Sequence, residues 1–362
     1  MPSKTPHLKS YRESTLPNEM LDFWLSKFNP VWSVEKKLGK LIRKKQEAKG
    51  TFTLYFKVNR RTQLPQAGQH IDTIVEVNGR CLARTYSPTH VDKKNRILGI
   101  TVKKVRNGNV SEHLIHALPI DGVVHFGKTY GNFTWPMPKK PVQLIAGGSG
   151  ITPFISLLTE NINLKQPIRL DYWCKNRAEA CFIKKLLSWQ EQFPNFQFYL
   201  HLTQEGAEKP YEKEGRITED FVKRLGKLDN TYLIACGTSD FTNAAKKLLE
   251  DKVKSFSSEA FSPPTYSPQD EEENEDGSEY TITLLKQNKV ITVRKGQPIL
   301  SALLENNIAC AYGCRIGICN TCTCHKVSGQ TKSTLNSEID SKENLSFRVC
   351  VELAKSDIVL DI

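Results

Sequence analysis

Cys314, Cys319 and Cys322 stand at C-x4-C-x2-C spacing, and Cys350 follows the last of them by 28 residues. Three thiols in one short loop, with a fourth supplied from farther along the chain, meet the need of a two-iron, two-sulfide cluster for four thiolates. Gly313 and Gly317 suit a loop whose backbone amides must turn inward to hydrogen-bond sulfide. Arg315 sits where it can offset cluster charge. Zinc is the competing reading, because Cys319-x2-Cys322 alone is common in zinc sites. Zinc ribbons and fingers pair one close couple with a second, however, and Cys350 has no Cys or His close by in sequence. The expected metal ligands are therefore Cys314, Cys319, Cys322 and Cys350. Cys310 and Cys324 lie outside that spacing and are expected to be small buried apolar residues.

Five of the ten cysteines fall between Cys310 and Cys324. A chain of 362 residues does not need disulfide staples, so clustering at one end favours metal ligation. That length suggests two or three domains. The formal charge of +12 admits nucleic acid, an anionic membrane surface, or an anionic cofactor or partner. It also hides a run of six acids, Asp270, Glu271, Glu272, Glu273, Glu275 and Asp276. The N-terminus has no apolar core followed by a cleavage site, and the uncharged stretch from Val142 to Leu158 is short for a membrane span and interrupted by Gly and Pro. A cytoplasmic protein is the expectation.

Five segments follow from pattern. Residues 1–35 form an N-terminal extension whose aromatics Phe23, Trp24, Phe28 and Trp32 are expected to pack on the next domain; contact with a membrane or partner is the alternative. Residues 36–137 read as short antiparallel strands, among them Thr73–Val77, Ile97–Val102 and Val123–Phe126, and predict a β-barrel. Residues 138–256 alternate strands (Val142–Ala146, Ile168–Trp173, Phe196–His201, Tyr232–Cys236) with helices (from Phe154, Ala178–Gln190, Asn243–Lys252). That alternation predicts an α/β domain on a parallel sheet. Residues 257–278 read as a solvated acidic linker. Residues 279–362 form a last block that opens on a hairpin, Tyr280–Leu285 and Val290–Val293.

The last block resembles the plant-type ferredoxins, from Leu300–Leu304 leading into the cysteine loop to Ser328-Gly329 after it. The resemblance implies an α+β, β-grasp ferredoxin domain with a [2Fe–2S] cluster. Ten basic residues against eight acidic ones make it unlike the usual acidic ferredoxin.

Upstream, Arg84-Thr85-Tyr86-Ser87 resembles the R-x-Y-[ST] motif of the ferredoxin–NADP reductase family. In that family a guanidinium meets the flavin phosphates, an aromatic ring lies against the isoalloxazine, and a small hydroxyl sits near its N5. Those roles would fall to Arg84, Tyr86 and Ser87. Gly68-Gln69-His70 precedes the motif at the family's spacing. Thr101-Val102-Lys103 and Gly108-Asn109-Val110-Ser111 resemble the segment that meets the pyrophosphate, which favours FAD over FMN.

Gly147-Gly148-Ser149-Gly150-Ile151-Thr152-Pro153, between an apolar strand and a helix, resembles the same family's nicotinamide-nucleotide turn. Thr152 would lie at the flavin–nicotinamide junction. Cys236-Gly237 resembles the family's C-G-P segment, whose thiol faces the nicotinamide, although Thr238 replaces the proline. Lys175 and Arg177, just past a strand, would receive the 2′-phosphate of NADPH; NADH is the alternative.

The resemblance covers nearly all of the chain beyond residue 35 and implies an NAD(P)H-dependent flavin and iron–sulfur oxidoreductase. Residues 313–324 and Asp357–Asp361 look most like the bacterial reductase partners of acyl-CoA desaturases. The expected acceptor is thus a fatty-acyl desaturase, with peripheral membrane association through it. The alternative is an aromatic-ring or alkyl hydroxylase (oxygenase). A zinc protein binding nucleic acid would explain the charge and one cysteine pair, but neither the RTYS string nor the GGSGITP turn, so no nucleic-acid partner is expected.

Overall fold

The computed structural model describes residues 18–77, 79–105, 108–131, 133–136, 140–262, 279–310, 312, 317, 322–335 and 338–362. Helix α1 (Asn18–Phe28) comes first. It turns a carboxylate inward: Asp22 accepts from the Ser33 hydroxyl and the Val34 amide, each at 2.6 Å. Phe23, Trp24, Phe28 and Trp32 all remain exposed, contrary to the expectation that they pack on the next domain. Val31 is buried, and Leu21 and Leu25 are half-buried.

The first domain is a seven-stranded antiparallel sheet of β1 (Leu38–Ala48), β2 (Thr51–Val58), β3 (His70–Val77), β4 (Arg80–Tyr86), β5 (Pro88–Asp92), β6 (Ile97–Lys103) and β7 (Val123–Tyr130). Its order is β4-β3-β7-β1-β2-β6-β5. The two edge strands, β4 and β5, are joined by Ser87 alone, so the sheet must curl until its edges meet. This is the predicted barrel. The closure also sets Ser87 at the seam. Alternation places Leu54, Phe56, Leu98, Ile100 and Val102 in the core, and α2 (Asn109–Glu112), continuing into a π-helical turn at His113–Ala117, covers one end with Val110 and Leu114.

The second domain contains β8 (Val142–Gly147), α3 (Ile151–Asn161), β9 (Ile168–Cys174), α4 (Ile183–Gln192), β10 (Phe196–Leu202), β11 (Glu212–Glu214), α5 (Glu219–Leu225), β12 (Tyr232–Gly237), α6 (Ser239–Leu249) and β13 (Ser255–Ala260). Every strand pair is parallel, in the order β11-β10-β9-β8-β12-β13. The chain winds outward from β8 through β9 and β10, then reverses through β12 and β13. A crevice therefore opens between the C-terminal ends of β8 and β12, where ligands bind in such sheets.

Three boundaries differ from the sequence expectation. The helix expected from Ala178 starts at Ile183, because a 3₁₀ turn at Arg177–Glu179 and a left-handed Phe182 (φ 63°) intervene. The helix expected from Asn243 starts at Ser239, where the Thr238 hydroxyl caps it by accepting from the Phe241 amide. Strand β13 crosses the expected domain end at 256, pairing with β12 from Tyr232–Ser255 to Gly237–Ala260. Residues 257–262 thus belong to this domain, while the acidic run lies outside the described residues.

The C-terminal block holds β14 (Glu279–Leu284), β15 (Lys289–Arg294), α7 (Ile299–Glu305), β16 (Thr323–Ser328), β17 (Thr331–Ser333), β18 (Ile339–Asp340), β19 (Leu345–Arg348), β20 (Glu352–Ala354) and β21 (Ile358–Leu360). Its main sheet, β15-β14-β21-β16-β19, packs on the apolar face of α7 through Ile299, Leu300 and Leu303. The parallel β14–β21 pair inside an otherwise antiparallel sheet, crossed by one helix, is the expected β-grasp arrangement. No described helix is long and apolar enough to cross a membrane.

Candidate functional site

A cleft of about 540 Å³ lies between the barrel and the second domain. The barrel lines it with Arg84, Thr85, Tyr86, Ser87, Lys103, Gly108, Asn109, Val110 and Ser111, and the second domain contributes Ser149 and Thr152. Nearly the whole expected flavin set therefore converges. Val102 is the exception, its side chain being fully buried in the barrel core.

Local chemistry explains the geometry. Asp72 on β3 accepts from the Thr85 hydroxyl at 2.8 Å and the Tyr130 hydroxyl at 2.7 Å, pinning the β4 edge from behind. Burial raises the Tyr86 phenol well above its ordinary value, so its ring stays neutral. The Ser111 hydroxyl accepts from the Val105 amide at 3.2 Å and donates to the Gly108 carbonyl at 3.1 Å. It staples the loop into shape and is less available to a pyrophosphate than expected.

The cleft also uses residues that sequence reasoning assigned no role. His70 is buried, with Nδ1 3.0 Å from the Ser87 hydroxyl and Nε2 2.5 Å from Glu259 Oε1. An ionised carboxylate only accepts, so Nε2 donates to Glu259, and in the neutral ring Nδ1 accepts from Ser87. Phe261 also lines the cleft and meets the His70 ring edge-on, with centroids 6.1 Å apart. Glu259 and Phe261 come from β13 and its end, within the segment expected to be linker. Glu259 stands 189 residues from His70, so no local spacing could reveal the pair.

The crevice of the second domain carries the glycine turn. Gly148 has φ +54° and open space where a Cβ would stand, leaving its backbone accessible to a ligand. A Cβ on Gly150 would lie 2.1 Å from the Cys236 carbonyl oxygen, so the turn and the end of β12 touch through backbone. Gly147 and Gly237 both abut the Phe241 ring. Ile151 and Pro153 are buried in the first turn of α3, and the Thr152 hydroxyl donates to the Ser149 carbonyl at 3.0 Å. Cys236 does not reach the cleft: it is fully buried in the sheet core. Burial, reinforced by Glu259, pushes its thiol well above the ordinary value.

Lys175 and Arg177 line a neighbouring hollow of about 980 Å³ with Lys49, Lys103 and Lys104 and with Glu112, Glu179 and Glu205. The two differ sharply. Arg177 is engaged by Glu205, Glu208 and Glu212, and it holds the Glu212 carboxyl down to about 2. Its guanidinium is committed to protein carboxylates instead of standing ready for a phosphate. Lys175 is exposed and has no ion pair among the described residues.

In the third domain Cys322 and Cys350 are buried, and the Val349 amide donates to the Cys322 carbonyl at 3.3 Å, joining their two segments. Gly317 has φ +79° and packs against Val351, while its carbonyl accepts from the Arg348 guanidinium. Cys314, Cys319, Gly313 and Arg315 lie outside the described residues. Cys310 and Cys324 pack against the domain core but are half-buried, not buried as expected.

The donor sets fit the groups that the motifs imply: cations and loop amides beside an aromatic strand for a flavin nucleotide, and an open glycine turn at a sheet crevice for a dinucleotide. The fold and site together define an NAD(P)H-dependent oxidoreductase that uses flavin and iron–sulfur. Comparison with known proteins agrees. Residues 38–135 match the oxidoreductase FAD-binding domain, 144–247 the oxidoreductase NAD-binding domain, and 282–355 the 2Fe-2S iron–sulfur cluster binding domain. The chain thus carries an oxidoreductase FAD-binding, an oxidoreductase NAD-binding and a 2Fe-2S cluster binding domain, in that order.

Among curated relatives, an NADPH oxidoreductase of Mycobacterium tuberculosis is 25% identical over 350 residues, covering 94% of this chain and 88% of that one. The vanillate O-demethylase oxidoreductase of Acinetobacter baylyi is 27% identical over 300 residues, covering 81% and 88% respectively. Among solved structures, phthalate dioxygenase reductase superposes with a TM-score of 0.59 at 20% identity, covering 90% of this chain and 97% of that one.

Proposed function

We propose that the chain takes a hydride from NADPH at the interdomain cleft and delivers single electrons through its cluster to a fatty-acyl desaturase. The observation that carries the first half is the meeting of Arg84, Tyr86 and Ser87 with Ser149 and Thr152 around one cleft. Flavin, when bound, accepts a two-electron hydride and releases electrons singly, as the cluster requires.

The protein's part is binding, orientation and proton handling. Arg84 neutralises phosphate, while Lys103, its ammonium paired with Glu179 at 2.7 Å, shapes the surrounding wall with Thr85, Gly108, Asn109, Val110 and Ser111. Tyr86 gives the ring a neutral platform. The Gly147, Gly148 and Gly150 backbone, with Ile151, Thr152 and Pro153 at the start of α3 and Gly237 opposite, holds the dinucleotide. Ser87 donates to His70 and keeps lone pairs for an N–H on the cleft side. A proton arriving at Ser87 can then pass to His70 Nδ1 as Nε2 releases its own to Glu259. Cys236, protonated and buried, acts on the crevice by packing. Cys314, Cys319, Cys322 and Cys350 hold the cluster.

For the nucleotide, free Lys175 favours NADPH, and the M. tuberculosis relative is named for NADPH. For the acceptor, residues 313–324 resemble the desaturase reductases, and residues 1–269 carry a net charge of +16, which an anionic leaflet attracts by about 1 kcal/mol per basic group near its surface. A soluble oxygenase is the second reading, favoured by the A. baylyi relative's name. NADPH consumption measured with a membrane-bound acyl-CoA desaturase and with a soluble oxygenase separates the two. Faster turnover with the desaturase is expected, and equal rates or a faster oxygenase would overturn the assignment.

A further inference from the structure

Helix α1 turns its bulkiest apolar side chains outward. Met20, Phe23, Trp24, Lys27 and Phe28 follow the i, i+3, i+4, i+7, i+8 rhythm that usually marks the face turned to a core. Here the four apolar members are exposed, Phe28 to 81% and Trp24 to 60%. The inward side carries Asp22, satisfied by Ser33 and Val34, with Leu21 and Leu25 half-buried beside it. Trp32, in the connector after the helix, is likewise exposed at 52%. Large aromatics in such a row on a water-facing surface mark a place where something apolar docks.

The charges around it identify the occupant. Lys27 lies 5.0 Å from the centroid of the Phe23 ring. Lys36, Arg60 and Arg61 are exposed and have no ion pair among the described residues, against one exposed carboxylate of the connector, Glu35, which accepts from the Asn18 side-chain amide. The turn carrying Arg60 and Arg61 is tied to the same connector, since the Asn59 amide donates to the carbonyls of Val31 and Lys36. The 17 residues before the helix contain Lys4, Lys9 and Arg12 against Glu13 alone. Tryptophan and phenylalanine on a short helix, ringed by cations, match the boundary between anionic headgroups and acyl chains.

We propose that α1 and its connector seat the protein directly on an anionic lipid surface, aromatics in the acyl boundary and basic side chains among the headgroups. This anchor is separate from any electron acceptor, so it stands or falls independently of the desaturase assignment.

The test is co-sedimentation of the full-length, cofactor-loaded protein with vesicles of phosphatidylcholine mixed with phosphatidylglycerol, and with phosphatidylcholine alone. Wild type is expected to partition onto the mixed vesicles and weakly onto the neutral ones. Trp24→Ser with Phe28→Ser is expected to lower partitioning about tenfold or more, the loss of two aromatic insertions. Arg60→Glu with Arg61→Glu should lose the preference for anionic vesicles. Both variants should keep wild-type NADPH–ferricyanide activity, which verifies the fold. No partitioning by wild type, or equal partitioning by wild type and the aromatic variant, overturns the proposal. So does a wild-type dimer in size-exclusion chromatography that the aromatic variant dissolves, because a second copy would then cover the stripe.

Discussion

Replacing Gly150 with alanine tests the backbone contact on which the nucleotide crevice depends. The new Cβ would lie 2.1 Å from the Cys236 carbonyl oxygen, 2.4 Å from its carbon and 2.7 Å from the Gly237 nitrogen, whereas ordinary contact begins near 3.4 Å. All three atoms are backbone in a strand paired on both sides, so no side chain can swing away. The turn must retreat from β12 by more than an ångström. Overpacking of this kind costs about 1–3 kcal/mol, and each kcal/mol lowers Tm by about 2–4 °C in a domain of a few hundred residues. A displacement of an ångström at a reacting geometry can cost about 100-fold in rate. The assay is anaerobic stopped-flow reduction of bound flavin by NADPH, with thermal melting alongside. Gly148→Ala is the control: its φ of +54° strains alanine by about 1–2 kcal/mol, but the Cβ meets nothing within 4 Å. Gly150→Ala should slow flavin reduction far more than Gly148→Ala while retaining the flavin. Wild-type rates in Gly150→Ala would refute the claim that the glycine sets the crevice.

Cys350→Ser should abolish the cluster's absorbance and cytochrome c reduction while leaving NADPH–ferricyanide turnover within about twofold, since the flavin lies in another domain; purification with both cofactors counts and both activities checks this. Lys175→Ala should raise KM for NADPH but not for NADH, whereas Arg177→Ala should leave the NADPH/NADH preference unchanged and lower Tm by exposing three carboxylates to one another. Because Arg177 holds Glu212 down to about 2, that pair's stabilisation is complete above the ordinary glutamate range and fades as pH falls toward 2. Acid titration of Tm should therefore be shallower in Arg177→Ala than in wild type. His70→Ala, which strands a half-buried Glu259, should destabilise by about 1–3 kcal/mol and slow flavin reoxidation more than flavin binding, read by stopped flow and by melting.

The sequence was most informative where chemistry is local. The RTYS edge, the glycine turn and the cysteine spacing each lie within one short segment, because each builds a loop around one group. Where partners come from distant strands, the sequence was silent. His70 meets Glu259 only because β13 joins the parallel sheet beside β12, and β13 (SFSSEA) has too few apolar residues to announce a strand. Arg177 read as a phosphate ligand because Glu205, Glu208 and Glu212 surround it only after β10 and β11 pair. The α1 aromatics carry the periodicity of a buried face, yet the helix turns Leu21, Asp22 and Leu25 inward and leaves the aromatics exposed. Thr238, which departs from the proline of the related motif, proves a sound substitute because its hydroxyl caps α6.

The central claim is that hydride enters one cleft and leaves as single electrons through a second domain of the same chain. Anaerobic titration of the purified protein with NADPH, following flavin and cluster absorbance together, tests it most directly. Both chromophores should bleach in wild type, with more than one equivalent of NADPH needed for completion, and in Cys350→Ser only the flavin should bleach. A cluster that stays oxidised while the flavin is fully reduced, or a protein that holds neither chromophore after reconstitution, would contradict the account.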